Sequence, residues 1–218
     1  MINNKLEKIP FITFIIPTIG RDSLIETIDS LINLHDSDWN AIIIFDGIKN
    51  KFTYKNIYDN KIKIIEIEKT GNELMKNSAG CVRNIGIEMA QSFWIGFVDD
   101  DDTLSKNYIC YLKKELMYAN NDIDAIIFRM MYKNGAVLPS KFDRNIIRNK
   151  VGISFAIKKE LSYKYKFDNN PFEDYFFLKN IQNNGHKILI SSYVAYYVRC
   201  SEDEEKDQNN LFPKILIN

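Results

Sequence analysis

The sequence predicts an α/β protein whose sheet is largely parallel, and three observations carry that expectation. Short, β-branched apolar runs alternate with stretches of helical periodicity through the first half of the chain. Several of those runs are apolar on both faces, as strands covered by helices on either side must be. At 218 residues and 45% hydrophobic content, the chain is large enough to bury such a sheet as one large domain.

In chain order, residues 11–17 read as a buried strand. Ser23 is placed as an N-cap, and Leu24, Ile25, Ile28, Leu31 and Ile32 then repeat at helical spacing. Residues 41–45 form the second strand, closed by the turn signal Asp46-Gly47, and 61–67 a third, alternating one. A helix fits 79–90, with Val82, Ile85, Gly86 and Met89 on one face. Residues 93–98 give the fourth strand, which runs straight into Asp99, Asp100, Asp101 and Asp102. A helix over 107–118 and a strand over 125–132 follow. The second half is less regular: loops with a hairpin over 131–149, a strand over 151–157, a helix over 172–183, and short strands over 187–190 and 195–198.

Composition excludes several classes. Lys plus Arg and Asp plus Glu are 29 each, so the basic excess of a general nucleic-acid binder is missing. Cys81, Cys110 and Cys200 are far apart, odd in number and without zinc or redox spacing, and no Asn-x-Ser/Thr sequon occurs. Both point to a reducing, cytoplasmic setting. Residues 1–10 lack the apolar core of a signal peptide, and no apolar run is long enough to span a bilayer. An acidic run over 202–207 precedes an apolar stretch over 211–217, which leaves peripheral membrane contact, a partner or packing on the domain open.

The four aspartates are the sharpest chemical feature. In extended backbone Asp99 and Asp101 share one face, beyond the carboxyl end of a strand where open α/β sheets bind ligands. Carboxylates this close repel unless a cation lies among them. A hard divalent ion, Mn2+ or Mg2+, suits oxygen ligands and bridges to diphosphates. The plainer alternative is an acidic loop in which Asp102 or Ser105 caps the next helix.

A second carboxylate pair opens the helix near residue 172. Asn170-Pro171-Phe172-Glu173 has the form of a capping box with proline at the first helical position, which gives Glu173 a structural role. Asp174 lies in line with Phe177, Leu178 and Ile181 on the stripe that faces the sheet. It is placed to face a site, and the helix N-terminus favours its ionised form; simple dipole compensation is the other reading.

These segments resemble family 2 glycosyltransferases. The likeness rests on Pro17-Thr18-Ile19-Gly20-Arg21, Ser30-Leu31, Phe45-Asp46-Gly47, Gly80-Cys81-Val82-Arg83-Asn84-Ile85-Gly86 and Trp94 through Asp102, in the family's order. It spans about residues 11–104, and more loosely 150–199. The resemblance implies a Rossmann-like GT-A fold, a mostly parallel sheet flanked by helices with a smaller mixed acceptor-side region. Residues 1–104 would be the nucleotide-sugar-binding half, 105–199 the acceptor-binding half, and 200–218 a tail. It implies that Pro17, Thr18 and Asp46 line the nucleoside pocket, with Arg83 and Asn84 by the diphosphate. Asp99 and Asp100 would contact the donor, Asp101 would ligate the metal and Asp99 would reach it directly or through water. Glu173 and Asp174 resemble the family's catalytic pair, of which Asp174 would be the base of an inverting transfer to a glycan or other acceptor hydroxyl. Without the resemblance, Asp46 is an ordinary turn residue and Arg83 a solvated helix residue.

The sequence departs from the family in two places. Phe45 stands where an aspartate often precedes Asp46, and no histidine lies near Tyr196-Tyr197-Val198-Arg199, since the two histidines are His35 and His186. His35 ends a helix and His186 follows a turn glycine, both structural positions. The Gln-x-x-Arg-Trp element of processive synthases is absent, the tryptophans being Trp39 and Trp94. Two other classes fit less of the chain. Asp99-x-Asp101-x-Thr103 also matches the opening motif of haloacid dehalogenase-like phosphatases, which normally sits on a first strand. A module that holds nucleotide-sugar or glycan without turnover would keep the same pocket.

Overall fold

The computed structural model describes residues 9–52, 60–70 and 79–199. Cys200, the acidic run and the apolar tail lie outside the described residues, as do residues 1–8. Among the described residues, nine strands join in one sheet. They are β1 (Ile12–Thr18), β2 (Trp39–Asp46), β3 (Ile62–Ile67), β4 (Trp94–Phe97), β5 (Thr103–Leu104), β6 (Ala125–Tyr132), β7 (Val137–Leu138), β8 (Phe155–Lys158) and β9 (Ile188–Val198). The helices are α1 (Leu24–Ile32), α2 (Ala79–Met89), α3 (Tyr108–Tyr118) and α4 (Glu173–Asn183). A 3-10 turn at Lys159–Tyr163, outside the sequence expectation, follows β8.

The sheet runs β3-β2-β1-β4-β8-β6-β9-β5, with β7 folded back on β6 as the expected hairpin. The first four strands are parallel. Their carboxyl ends share one edge, and the chain reverses its direction of winding between β1 and β4, where such sheets open a crevice. Thr18, Asp46 and Asp99 therefore converge there. The mixed region begins at β8, which pairs antiparallel with β4 and β6.

Two expected strands, 187–190 and 195–198, are one. Strand β9 pairs parallel with β6 throughout, with register shifts around Arg129. The polar Ser191-Ser192 step reads as a loop in sequence. Here Ser191 is buried and its hydroxyl donates to Glu115 Oε1 at 2.6 Å, so the strand continues. The strand expected over 151–157 is shorter and shifted, at Phe155–Lys158. Ser23 does not cap α1: its hydroxyl donates to the Asp100 carbonyl at 2.9 Å. Strand β5 pairs with Tyr196 and Tyr197 of β9, so the chain leaving the aspartates is tied to the far end of the second half.

Helix α4 buries Phe177, Leu178 and Ile181, the stripe its spacing predicts. Phe177 stacks on Phe167 at 4.2 Å between ring centroids, and Phe167 meets Phe97 edge-on at 5.2 Å. This aromatic column joins α4 to the parallel half. Cys81 and Cys110 carry free thiols. Among the described residues no helix is long and apolar enough to cross a membrane.

Helix α2 approaches the sheet through Gly86, where an added Cβ would lie 2.5 Å from Ile15 Cγ2 and 3.1 Å from Ile44 Cδ1. Overpacking at such a contact costs about 1–3 kcal/mol. Gly86→Val is therefore expected to lower the urea midpoint without changing the slope. An unmoved midpoint would show that α2 does not rest on the sheet at this residue.

Candidate active site

The four aspartates occupy a tight turn, not an extended strand: β4 ends at Phe97, and the Asp102 N–H donates to the Asp99 carbonyl at 3.1 Å. The two-residue alternation expected from strand geometry is thus not its cause. Even so, Asp99 and Asp101 stand half-exposed while Asp100 and Asp102 are buried. Partners set that division. Asp100 receives the Thr18 hydroxyl at 2.6 Å and Arg21 Nη1 at 2.8 Å, and the same nitrogen reaches Asp101 Oδ2 at 3.0 Å. Asp102 Oδ1 accepts the Arg199 N–H at 2.9 Å, and its carboxyl also bonds the Tyr196 hydroxyl.

The turn is held from behind as well. Thr27 Oγ1 donates to the Asp102 carbonyl at 2.7 Å and Arg199 Nε to the Asp101 carbonyl at 2.7 Å. Arg199 also reaches the Ser23 carbonyl at 3.1 Å and pairs with Glu26. Burial lifts the Asp102 pKa to about 8; repulsion from Asp99 and Asp101 adds to it, and the bonds from Arg199 and Tyr196 only hold it back. For Arg21, burial works against the charge, but Asp100 and Asp101 outweigh it and the pKa is raised.

Arg83 is buried, not a solvated helix residue. Its Nη2 donates to Asp99 Oδ1 at 2.5 Å and its Nη1 to Glu173 Oε1 at 2.8 Å. Burial alone would lower its pKa, but Asp99 and Glu173 outweigh burial and raise it. The capping box is not formed. Phe172 occupies the N-cap position, Asn170 Oδ1 accepts the Phe172 N–H at 2.9 Å, and Glu173 turns inward to Arg83. A buried guanidinium attracts a carboxylate more strongly than an exposed N–H does.

Two cavities meet at this ion network. A cleft of about 480 Å³ is lined by Pro17, Thr18, Asp46, Arg21 and Arg199 with the aspartate turn. A smaller one, about 270 Å³, holds Asp174 with Gly152, Tyr132 and Tyr196. Arg83, Asp99, Asp102 and Glu173 line both. Asp46 sits at the cleft wall with its oxygens accepting from the Thr70 N–H at 2.7 Å and hydroxyl at 2.9 Å. Asn84 is not brought to either cavity: its side-chain amide binds the Phe167 backbone at 2.9 Å in both directions, so it secures the chain below α4. His35 bonds Asn107 and His186 bonds Tyr165, both away from the cavities.

Asp174 differs from its expectation in charge. Burial raises its pKa to about 6; the Tyr175 N–H opposes the shift, Glu173 adds to it and Arg83 opposes it. Desolvation therefore outweighs the helix end that was expected to favour ionisation. Tyr196, Arg199, Arg21 and Gly152 received no role from the sequence. Arg21 and Arg199 lie within or beside quoted motifs, but nothing local says that they turn toward the aspartates. Gly152 is legible only in three dimensions, since a Cβ there would meet Met130 Sδ at 2.9 Å and lie 3.6 Å from Asp174 Oδ2.

A divalent ion fits the turn as a partner shared with a ligand. Among the described residues no group of three or more His, Cys, Asp or Glu is arranged to hold a metal. Magnesium-like ions at nucleotide sites, however, use one or two carboxylates and complete their shell with phosphate and water. All four aspartates line the cleft, and Asp99 and Asp101 are the two whose carboxylates stay half-exposed to it.

The sequence profile of glycosyl transferase family 2 matches residues 13–177. A comparison with curated proteins finds no match. Among solved structures, S. aureus TarS 1–349 superposes with a TM-score of 0.65 at 18% identity, over 92% of this chain and 64% of that one. The same TarS fragment in complex with UDP-GlcNAc gives 0.60 at 18%, over 88% and 59%. The mannosyltransferase PcManGT from Pyrobaculum calidifontis, in complex with GDP-Man and Mn2+, gives 0.61 at 14%, over 90% and 59%. The chain thus spans less than two thirds of the length of each, and the likeness is one of fold.

The raised pKa of Asp174 sets the sign of a stability effect. A carboxyl at about 6 in the folded state and 3.8 in its reference state binds its proton more tightly when folded. Its contribution is complete below the unfolded value and is lost as pH rises through the folded one. Asp174→Asn cannot ionise beside Glu173 and Asp99. It should melt higher than wild type near pH 8, by about 1–2 kcal/mol, with the gain fading toward about pH 4. Equal gains at both pH values, or a loss at the higher one, would contradict the buried carboxylate.

Proposed function

The chain belongs to glycosyl transferase family 2, and on that premise we propose that it transfers a sugar from a nucleotide-diphosphate sugar to an acceptor hydroxyl with inversion. The observation that carries this reading is the pair of cavities joined by the Arg83 network, one bounded by the aspartate turn and the other holding Asp174. The larger takes the donor, with Pro17, Thr18 and Asp46 toward the nucleoside and Asp99 to Asp101 toward the diphosphate. The smaller takes the acceptor.

Asp174, with its pKa lifted to about 6, is a stronger base than a solvated aspartate and is still mostly ionised at neutral pH. It accepts the proton of the acceptor hydroxyl as oxygen bonds the anomeric carbon. The bond from that carbon to the diphosphate breaks with its electron pair, releasing the nucleoside diphosphate. Of the carboxylates lining that cavity, Asp99 and Glu173 are held by Arg83 and Asp102 by the Arg199 N–H, which leaves Asp174 as the base. Among the described residues no Ser, Cys or Lys lines it, and this suits a single displacement, which inverts the anomeric centre. Asp99 and Asp101 would hold Mn2+ or Mg2+, which when bound supplies charge stabilisation for the departing diphosphate. Glu173 holds Arg83 at the wall of the cavity that it lines with Asp174. A uridine donor is the default, supported by the UDP-GlcNAc complex of TarS. The free thiols suit a reducing, cytoplasmic setting.

A phosphatase reading asks Asp99 to act as a nucleophile from a fourth strand while locked to Arg83, and it leaves Asp174 without a part. A binding module without turnover accounts for the donor cleft and leaves the second cavity, with Asp174, without a part.

Titration with a panel of nucleotide-sugars, with and without Mn2+, tests the proposal. Metal-dependent binding of one donor is expected, lost in Asp101→Ala and kept in Asp174→Ala. Transfer by Asp174→Ala should fall about 10²–10⁴-fold, and the wild-type rate should fall as pH drops below about 6, where Asp174 is protonated. If no nucleoside diphosphate binds with any divalent ion, the transferase reading is lost.

A further inference from the structure

We infer that the acceptor is anionic, bearing phosphate or carboxylate groups beside its reacting hydroxyl, and that the segment 133–150 next to the Asp174 cavity recognises that charge. This rests on the transferase reading above. The chain has equal numbers of acidic and basic residues, yet this segment holds Lys133, Lys141, Arg144, Arg148 and Lys150 against Asp143 alone. A balanced surface would intersperse the two signs. Concentrated like charge at one place repels itself and is useful where an opposite charge arrives.

The segment is built, not loose. Strand β7 returns it to β6, and Leu138 and Ile146 are buried beneath it. Arg129, itself buried, donates from Nη1 to the Pro139 carbonyl at 2.5 Å and also to the Ser140 carbonyl. The Ser140 N–H binds Asp143 at 2.8 Å and Lys150 pairs with Asp143 at 3.0 Å. The one acidic residue is thus committed within the segment, while Lys133, Lys141, Arg144 and Arg148 face solvent.

Its ends frame the base. Met130 and Tyr132 enter the segment and Gly152 and Ile153 leave it, and all four line the Asp174 cavity. Arg148 lies over the Phe172 ring, 3.7 Å from its centroid, one residue before Glu173 and Asp174. A guanidinium stacked on a ring keeps its N–H edge directed outward, where it can meet a carboxylate or phosphate in two-pronged fashion. The cavity itself presents Asp99, Asp102, Glu173 and Asp174 against Arg83. An anionic group is repelled from that interior and a neutral hydroxyl is not. The acceptor must then keep its charge outside the cavity mouth, where the basic segment stands.

Fluorescence anisotropy with the full chain tests this, using short labelled oligomers of glycerol phosphate, of galacturonate and of neutral maltose units. Vesicles of equal parts phosphatidylcholine and phosphatidylglycerol form a further arm. At about 0.1 M salt, where screening reaches ~10 Å, at least one anionic oligomer should bind about tenfold more tightly than the neutral one. That is the scale of one charge-assisted hydrogen bond. The preference should shrink with added salt and vanish in the double variant Arg144→Gln/Arg148→Gln, whose binding of UDP with Mn2+ should match wild type. Which oligomer wins separates a phosphate-bearing acceptor from a carboxylate-bearing one. No preference in wild type, or one untouched by the double variant, overturns the inference. Arginine-dependent binding to vesicles without any oligomer preference overturns it in favour of a membrane surface. Failure of wild type to bind UDP, with the oligomer preference intact, would instead remove the transferase reading and with it the bound anion's standing as acceptor.

Discussion

The buried guanidinium of Arg83 is the constraint on which the rest of the site depends. It projects from α2 in the parallel half and holds Asp99, after β4, and Glu173, at the start of α4. Three elements from both halves of the chain are fixed by one planar group. Removing one partner from such a buried set leaves an uncompensated charge, which costs about 3–5 kcal/mol. The network therefore sets where α4 begins, and so where Asp174 sits relative to the aspartate turn. Phe167 lies under the same guanidinium, 5.6 Å away, and Asn84 on the same helix grips the Phe167 backbone. Packing and charge fix the same distance.

The aspartate turn is assembled from further away than its sequence neighbours. Thr18 ends β1, Arg21 and Ser23 come from the connection to α1 and Thr27 from that helix, while Tyr196 and Arg199 come from the end of β9. The β5 pairing explains how β9 arrives there: the residues straight after Asp102 join it in the sheet. Four carboxyl groups crowded on one turn repel as they ionise and would otherwise push it open. Bonds from two directions hold its shape before any ligand comes, so little reorganisation is left for the reaction.

The parallel half was legible because its signals are local. Apolar runs of strand length, Asp46-Gly47 as a stop and the burst of aspartates after residue 98 each announce themselves within a few residues. The site residues that escaped were those whose roles depend on distant partners. Glu173 has all the local marks of a capping box, and a guanidinium ninety positions earlier in the chain takes it instead. Ser23 looks like an N-cap and serves the Asp100 carbonyl. Asn84 sits in a quoted motif beside Arg83, but one step along a helix turns it to another face. The polar break at Ser191 hid the continuity of β9, because a buried serine with a carboxylate partner has the same letters as a loop serine.

On the proposed reading, the acceptor side has to reconcile two opposed needs. A base of raised pKa requires burial and the absence of nearby positive charge, since a cation within a few ångströms would return the carboxyl toward its ordinary value and weaken it. Recognition of an anionic acceptor requires positive charge close by. The chain separates the two in space. Asp174 lies inside a cavity where Arg83, the one cation lining it among the described residues, is already engaged by Asp99 and Glu173. Arg148 is kept at the rim by the ring of Phe172, and the charges of the 133–150 segment stay in solvent. In water those charges act weakly on Asp174 but remain able to meet a ligand that brings its own opposite charge and displaces the water between them. The same separation explains why Gly152 stands where it does. At the junction of basic segment and acidic cavity, a Cβ on Gly152 would meet Met130 Sδ at 2.9 Å and lie 3.6 Å from Asp174 Oδ2, so a side chain there would narrow the Asp174 cavity.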